Sequence, residues 1–335
     1  MIKQINRILA EIQKRYADKR TQVFSAAVEN LDAGRVILSG RVLEAVQRQE
    51  LLQALLAAFP AVEWVDQIQV LRGVNQRRAW VATNLTGLYA EPSFLAEMLS
   101  QVTNGTCLEV LETQRKWHFV RQEDGYLGWV YTAYLTNEAP GEPTHLVCAA
   151  EAPVFDSPAG NALLTRLPAG TALWVEGETG ARLRVRLAEG TCGWAEQTLL
   201  RSFASLPREE AARRTQITTD ALTLVGVPYL WGGCTAWGID CSGFAQLLHR
   251  WVGVSLPRDA DLQFAAGREA QPPYREGDLL FFGEGGAERK ITHVAVSLGG
   301  GRIIHASRAR NGVHCENWQE NPSLLAGFAG ARCFV

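Results

Sequence analysis

The sequence predicts an α+β chain of several domains, in which a cysteine carried at the start of a helix packs on an antiparallel sheet near the C-terminal end. Three observations lead there. Apolar residues recur at helical spacing near the N-terminus, in Ile2, Ile5, Leu9, Ile12 and Tyr16. Short strand patterns separated by Gly and Pro turns then fill the stretch from Trp80 to Ser202 and repeat internally. After residue 205, two helical patterns are followed by a run of strands. A chain of 335 residues with 47% hydrophobic content can bury a sizeable core, and its length suggests two to four domains.

Composition limits the function classes. The formal net charge of -2 supplies no global field toward nucleic acid, so no nucleic-acid partner is expected. No apolar run reaches the roughly 18 residues of a transmembrane helix. The first residues, MIKQINRILAEIQKRYADKR, are charged throughout and lack the apolar centre of a secretory signal, so a cytoplasmic location is expected. The seven cysteines (107, 148, 192, 234, 241, 315, 333) are scattered and form no C-x-x-C pair, which favours reduced thiols. Most of them read as small buried hydrophobes, and Cys241 is the exception. No cofactor is expected.

The N-terminal pattern predicts a helix over 2–18, strands over 23–29 and 35–42 joined by a hairpin signal at Asp32-Ala33-Gly34, a helix over 43–59 ending before Pro60, and a strand over 62–71. The run Val36-x-Leu38-x-Gly40-x-Val42, then a helix, then Val65-x-x-x-Gln69-Val70, resembles the BON family, an α/β module of bacterial envelope and associated proteins. The resemblance covers residues 1–72 and places a first domain at 1–75. It implies association with a membrane or a protein without naming the partner; a packing or spacer domain is the plainer alternative.

Between Trp80 and Ser202 two copies align. Leu88-Tyr89-Ala90-Glu91-Pro92 matches Val154-Phe155-Asp156-Ser157-Pro158, Gly105-Thr106 matches Gly170-Thr171, and Gly128-Trp129 matches Gly193-Trp194. The period is about 65 residues. Each copy resembles a bacterial SH3-like domain, which implies two small β-barrels, at 76–140 and 141–204, of a kind used for binding and positioning. Copy one carries Glu91 and Tyr126 where copy two has Ser157 and Thr191. A carboxylate and a phenol in one copy alone suggest a task beyond holding the fold, against the alternative of ordinary surface variation.

Residues 203–214 read as a linker entering a helix that runs to about Val225. The Gly226-Val227-Pro228-Tyr229-Leu230-Trp231-Gly232-Gly233 loop follows, then a helix over 241–252 with Asp240 as its N-cap. Strands are expected over 278–282, 292–298, 302–307 and 312–318. A thiol at a helix N-terminus meets the positive end of the helix dipole, which favours thiolate and makes Cys241 a candidate nucleophile. A base is then required. If Gly299-Gly300-Gly301 forms the turn, Leu298 pairs with Arg302, and His293 and His305 become diagonal neighbours on one sheet face. One imidazole can then take the thiol proton while the other fixes its tautomer. This layout resembles that of papain-like enzymes. A zinc site of Cys241, His293 and His305 lacks ligand spacing and a fourth ligand, so no metal is expected.

Residues 205–335 resemble the NlpC-type cysteine peptidases of bacterial cell-wall metabolism. The likeness rests on the Tyr-x-x-Gly-Gly loop, Asp240-Cys241-Ser242-Gly243-Phe244, Leu256-Pro257-Arg258-Asp259, Gly277-Asp278-Leu279, Thr292-His293-Val294-Ala295 and Ile304-His305-Ala306, in that order. It implies Cys241 as nucleophile, His293 as general base and acid, and His305 as orienter. It further implies an oxyanion site at the Cys241 N–H and the Tyr229 hydroxyl, and substrate contacts from Asp240, Ser242, Arg258 and Asp259. Ala260 departs from the Ser or Thr frequent in the family, which puts one substrate hydrogen bond in doubt. Family members with SH3-like domains ahead of the catalytic domain resemble γ-D-glutamyl-L-diamino acid endopeptidases. By that resemblance Glu91, Tyr126 and Asp259 would face the free amino group of an N-terminal L-Ala in murein peptides (L-Ala-γ-D-Glu-diamino acid). The rival readings are a general murein hydrolase acting on the polymer and a non-catalytic wall-peptide-binding scaffold.

Overall fold

The computed structural model describes residues 1–32, 35–285 and 290–335. The turn residues of the Asp32-Ala33-Gly34 hairpin signal lie outside the described residues.

The N-terminal unit runs α1 (Ile2–Arg15), β1 (Ala27–Asp32), β2 (Arg35–Val42), α2 (Ala45–Ala58) and β3 (Glu63–Val70). β1 pairs antiparallel to β2, and β2 pairs parallel to β3 from Arg35↔Glu63 to Val42↔Val70. A parallel pair needs a crossover, and α2 supplies it. The apolar stripe of α1 (Ile5, Leu9, Ile12) meets Leu51 and Leu55 of α2 and Val36, Leu38 and Val42 of β2 in one core. The first helix stops earlier than its apolar spacing suggests, because Tyr16 leaves helical backbone and turns its N–H onto the Gln13 carbonyl. The strand expected over 23–29 begins as irregular pairing, with Ser25 N–H donating to the Arg41 carbonyl, and becomes regular only at Ala27.

Two seven-stranded sheets follow. The first contains β4 (Arg78–Val81), β5 (Leu85–Tyr89), β6 (Met98–Thr103), β7 (Cys107–Gln114), β8 (Trp117–Arg121), β9 (Leu127–Tyr131) and β10 (Leu135–Thr136). The second contains β11 (His145–Val147), β12 (Glu151–Phe155), β13 (Leu163–Pro168), β14 (Ala172–Thr179), β15 (Arg182–Arg186), β16 (Cys192–Glu196) and β17 (Leu200–Ser202). Their orders, β10-β4-β7-β8-β9-β5-β6 and β17-β11-β14-β15-β16-β12-β13, are the same path traced twice, so the sequence repeat is a repeat of topology. The expected barrels are not closed. Each ladder ends in two unjoined edges, and its middle is held at one residue pair, Tyr89↔Trp129 in the first and Phe155↔Trp194 in the second.

The C-terminal unit comprises α3 (Glu210–Thr223), the short pair β18 (Cys234–Thr235) and β19 (Gly238–Ile239), α4 (Cys241–Arg250), α5 (Ala260–Ala266), β20 (Arg268–Ala270), β21 (Leu279–Glu284), β22 (Lys290–Gly299), β23 (Arg302–Ser307), β24 (Gly312–Asn317), α6 (Pro322–Gly327) and β25 (Phe328–Cys333). Its sheet has the order β20-β25-β21-β22-β23-β24, antiparallel throughout. The apolar face of α4 (Phe244, Leu247, Leu248, Trp251) packs with Phe281, Val294, Val296 and Ile304 of the sheet. The turn between β22 and β23 differs from expectation: Gly299, not Leu298, pairs with Arg302, and Leu298 is left as a bulge. Beyond the bulge, Ser297↔Ile303 and Val296↔Ile304 keep the expected register, so the extra residue is absorbed at the tip.

Candidate active site

Cys241 is the first residue of α4, and its position is set by Asp240. The Asp240 carboxylate accepts from the Gly243 N–H (2.7 Å) as the helix N-cap and from the Gly232 N–H (2.9 Å), tying the helix start to the Tyr229–Gly233 loop. Arg258 closes the unit from its other side, donating to both Asp240 oxygens at 3.1 and 2.6 Å and to the Ser242 hydroxyl at 3.0 Å. The fork geometry of a guanidinium on a carboxylate makes this a strong pair. Arg258 is 1% exposed and its remaining nitrogen, Nε, donates to Ser100 of β6 at 3.1 Å. Asp240, Ser242 and Arg258 were expected to touch substrate; instead they are buried and spend their polar atoms on one another, and what they hold in place is the nucleophile.

The thiol also departs from expectation. Burial, aided by the Asp240 carboxylate, pushes Cys241 up to about 12, against hydrogen bonds from the Val294 and Ser242 backbone and the charge of Arg258. Desolvation therefore outweighs the helix N-terminus, and the resting form is the neutral thiol. The Val294 contact puts the sulfur beside the backbone of β22, one residue from His293.

On the sheet, His293 and His305 meet as diagonal neighbours: His293 Nε2 lies 2.6 Å from His305 Nδ1. The chain of contacts continues, with His305 Nε2 2.7 Å from Glu316 Oε1 and the Asn321 amide donating to Glu316 Oε2 at 2.8 Å. Burial acts to raise Glu316, but the bonds from Asn321 and His305 outweigh it and hold the carboxylate below its ordinary value. An ionised Glu316 can only accept, so His305 donates from Nε2 and accepts at Nδ1. His293 must then donate from Nε2, which leaves its Nδ1 as a lone pair. Burial, reinforced by His305, pushes His293 down to about 3, and burial with His314 pushes His305 down to about 4. The site thus rests as a neutral thiol and a neutral imidazole in the proton-accepting tautomer. Glu316 and His314, on the next strand, escaped the sequence reading; their i, i+2 spacing on β24 was the available signal.

The Tyr229 phenol stays protonated, its pKa raised by burial first and then by Cys241 and Asp240, so it can act as a donor beside the sulfur. Tyr126 and Asp259 come together across the chain, the phenol donating to Asp259 Oδ2 at 3.0 Å. Glu91 does not join them. It is exposed, and its side chain has no hydrogen bond or ion pair among the described residues. Two carboxylates of the first β-unit reach the catalytic unit instead: Glu97 accepts from Trp231 Nε1 at 2.9 Å, and Asp124 accepts from the Gln246 amide at 3.4 Å. Gln101 Oε1 accepts from the Cys234 N–H at 3.0 Å in the same region.

The N-terminal unit contributes a residue that sequence reasoning missed. Arg20 NH1 donates to Asp259 Oδ2 (2.8 Å), and both its terminal nitrogens pair with Asp261 (2.8 and 2.7 Å). The Arg20 carbonyl accepts from the Leu127 N–H at 2.7 Å, so the segment is anchored by its backbone as well.

A helix-borne thiol against a sheet-borne imidazole relay, with a side chain ready to orient the base, defines a papain-like cysteine peptidase. Comparison narrows the class: residues 226–325 match the model of the NlpC/P60 family, and residues 88–135 match the bacterial dipeptidyl-peptidase SH3 domain. The chain is a cysteine peptidase of that kind. It is 29% identical over 64% of its length to the gamma-D-glutamyl-L-lysine dipeptidyl-peptidase of Bacillus cereus, spanning 66% of that protein. It is 29% identical over 73% of its length to dipeptidyl-peptidase 6 of Lysinibacillus sphaericus, spanning 93% of that protein. The crystal structure of an NlpC/P60 family protein from Bacillus cereus shares the fold, with a TM-score of 0.68 at 22% identity over 77% of this chain and 99% of that one.

Proposed function

We propose that the chain hydrolyses the bond between γ-D-Glu and the following diamino acid in short murein peptides whose N-terminal L-Ala is free. The observation that carries this reading is the bond between Tyr126 of the first β-unit and Asp259 beside the nucleophile helix. It puts a carboxylate and a phenol from two parts of the chain at one place. Asp259 Oδ2 is occupied by Tyr126 and Arg20, whereas no hydrogen bond or ion pair claims Oδ1 among the described residues. An ammonium brought to Oδ1 gains a charge-assisted hydrogen bond in a partly desolvated site, and an acylated nitrogen forfeits it. The name of the Bacillus cereus relative, a gamma-D-glutamyl-L-lysine dipeptidyl-peptidase, supports the same substrate class.

In this mechanism His293 Nδ1 takes the Cys241 proton as the sulfur attacks the γ-carbonyl carbon. The oxyanion is met by the Cys241 N–H and the Tyr229 hydroxyl. The imidazolium returns its proton to the leaving amine, giving a thioester and the free diamino acid end. Water, deprotonated by His293, then releases the dipeptide acid and restores the thiol. His305 and Glu316 stabilise the imidazolium formed in each step. The divisions 1–75, 76–140, 141–204 and 205–335 belong to this reading, as do a BON-like N-terminal unit and a cytoplasmic setting that supplies already released peptides.

The test compares L-Ala-γ-D-Glu-diaminopimelate with its N-acetylated form. Preferred cleavage of the free amine, with the preference lost in Asp259→Asn, is expected. Equal kcat/KM for the two peptides would overturn the gating role.

A further inference from the structure

The relay ends in a cluster that the peptidase chemistry does not need in full. His314 on β24 brings its Nε2 to 3.1 Å from Glu316 Oε1 and 3.3 Å from His305 Nε2, while His305 Nε2 itself lies 2.7 Å from Glu316 Oε1. Three ligand atoms thus converge on one point, all within 4.8 Å of one another. Ligand atoms about 2.1 Å from a tetrahedral divalent ion stand roughly 3.4 Å apart, so this triangle opens by only tenths of an ångström to receive one. The surroundings are also those of a ligand set. Asn321 fixes the outer Glu316 oxygen at 2.8 Å, and His314 Nδ1 faces the Gly312 carbonyl at 3.5 Å, the partner a metal-bound imidazole uses for its other N–H. The His314 and Glu316 side chains are 23% and 18% exposed, which leaves a route from solvent.

We propose that His305, His314 and Glu316 form an inhibitory site for a divalent first-row transition metal ion. Two imidazoles and a carboxylate suit zinc or cobalt, with the remaining positions open to water.

Inhibition follows from proton positions. A metal ion on His305 Nε2 displaces its proton to Nδ1, which then donates to His293 Nε2. His293 must in turn carry its own proton on Nδ1, the atom that in the proposed mechanism has to accept the thiol proton. His314 likewise moves its proton from Nε2 to Nδ1, toward Gly312. The histidines each keep one proton and Glu316 stays ionised, so the ion switches the relay to its inactive tautomer without changing its charge.

Binding is tested on the full chain by calorimetry with Zn²⁺ and by the optical spectrum of Co²⁺. Expected are one ion per chain in the wild type and in Cys241→Ser, loss of binding in His314→Ala, and binding weakened about tenfold or more in Asn321→Ala. Peptide hydrolysis by the wild type should be lost with Zn²⁺ and return with chelator. His314→Ala and His314→Gln, each checked for folding by circular dichroism, should escape inhibition, the ratio of their rates with and without Zn²⁺ staying near one whatever their basal rate. The proposal is overturned if no ion binds, or if binding disappears in Cys241→Ser and persists in both His314 variants, which would place the ion on the nucleophile.

Discussion

Glu316 offers the sharpest perturbation of the relay. Its replacement by Gln removes the charge that fixes His305 as a donor from Nε2 across 2.7 Å. A Gln amide can accept from His305 through its oxygen or donate to it through its nitrogen, so the tautomer is no longer imposed. A hydrogen bond to a charged partner contributes about 1.5–3 kcal/mol, and here that contribution is larger when His293 becomes an imidazolium in the transition state. Lost from the barrier, it lowers kcat by about ten- to 150-fold. KM should move little, because Glu316 lies behind two imidazoles and not against substrate. The assay is steady-state hydrolysis of the free-amine tripeptide by wild type, Glu316→Gln and Glu316→Asp, with thermal unfolding in parallel. A kcat within twofold of wild type in a folded Glu316→Gln, or a loss confined to KM, would refute the tautomer argument.

Three further outcomes are expected. Tyr126→Phe removes one donor to Asp259 and should raise KM for the free-amine peptide about tenfold or more, leaving the acetylated peptide unaffected; parallel changes for both peptides would return Tyr126 to a packing role. Gly232→Ala should lower the melting temperature and kcat/KM together. Its φ is +77° and a Cβ would come within 2.5 Å of the Met98 carbonyl oxygen, a strain of about 1–3 kcal/mol, read out by denaturant unfolding. Finally, burial holds His249 and His305 down at about 4 from an ordinary 6.5. Below pH 6.5 the unfolded chain takes up protons that the folded one refuses, so their contribution is full above 6.5 and is lost as pH falls toward 4. The slope is at most about 1.4 kcal/mol per pH unit for each group. Urea midpoints at pH 7.5 and 5.0 measure it, and equal midpoints would contradict the burial account.

What the sequence made legible is what local chemistry determines. The cysteine at a helix start, its Asp240 cap, the strand register that makes His293 and His305 neighbours, and the doubled β-unit all follow from spacing and turn residues read along a few positions. The bulge at Leu298 did not, because three consecutive glycines permit several tips that share one register. The thiol's protonation was misjudged for a different reason: helix position is visible in sequence, but the depth of burial that outweighs it is set by tertiary packing. Asp240 and Arg258 were misassigned on the same account. Eighteen positions separate them, and nothing local shows that the carboxylate of one is consumed by the guanidinium of the other. That Glu91 stays exposed while Glu97 accepts from Trp231 is also invisible in the sequence, because it depends on how the first β-unit docks.

Arg20 carries the further lesson that the site is composite. It pairs with Asp259 over a separation of 239 residues, and Ser100 reaches Arg258 across 158. The group proposed to read the substrate's amine is therefore oriented by the N-terminal unit and by the first β-unit at once, and the group that positions the nucleophile is held partly by the latter. Such pairs form only when the separate cores are already folded and docked. Cys241, His293, His305 and Glu316 all lie in the catalytic unit, so what assembly adds is the support of Asp259 and Arg258 around them.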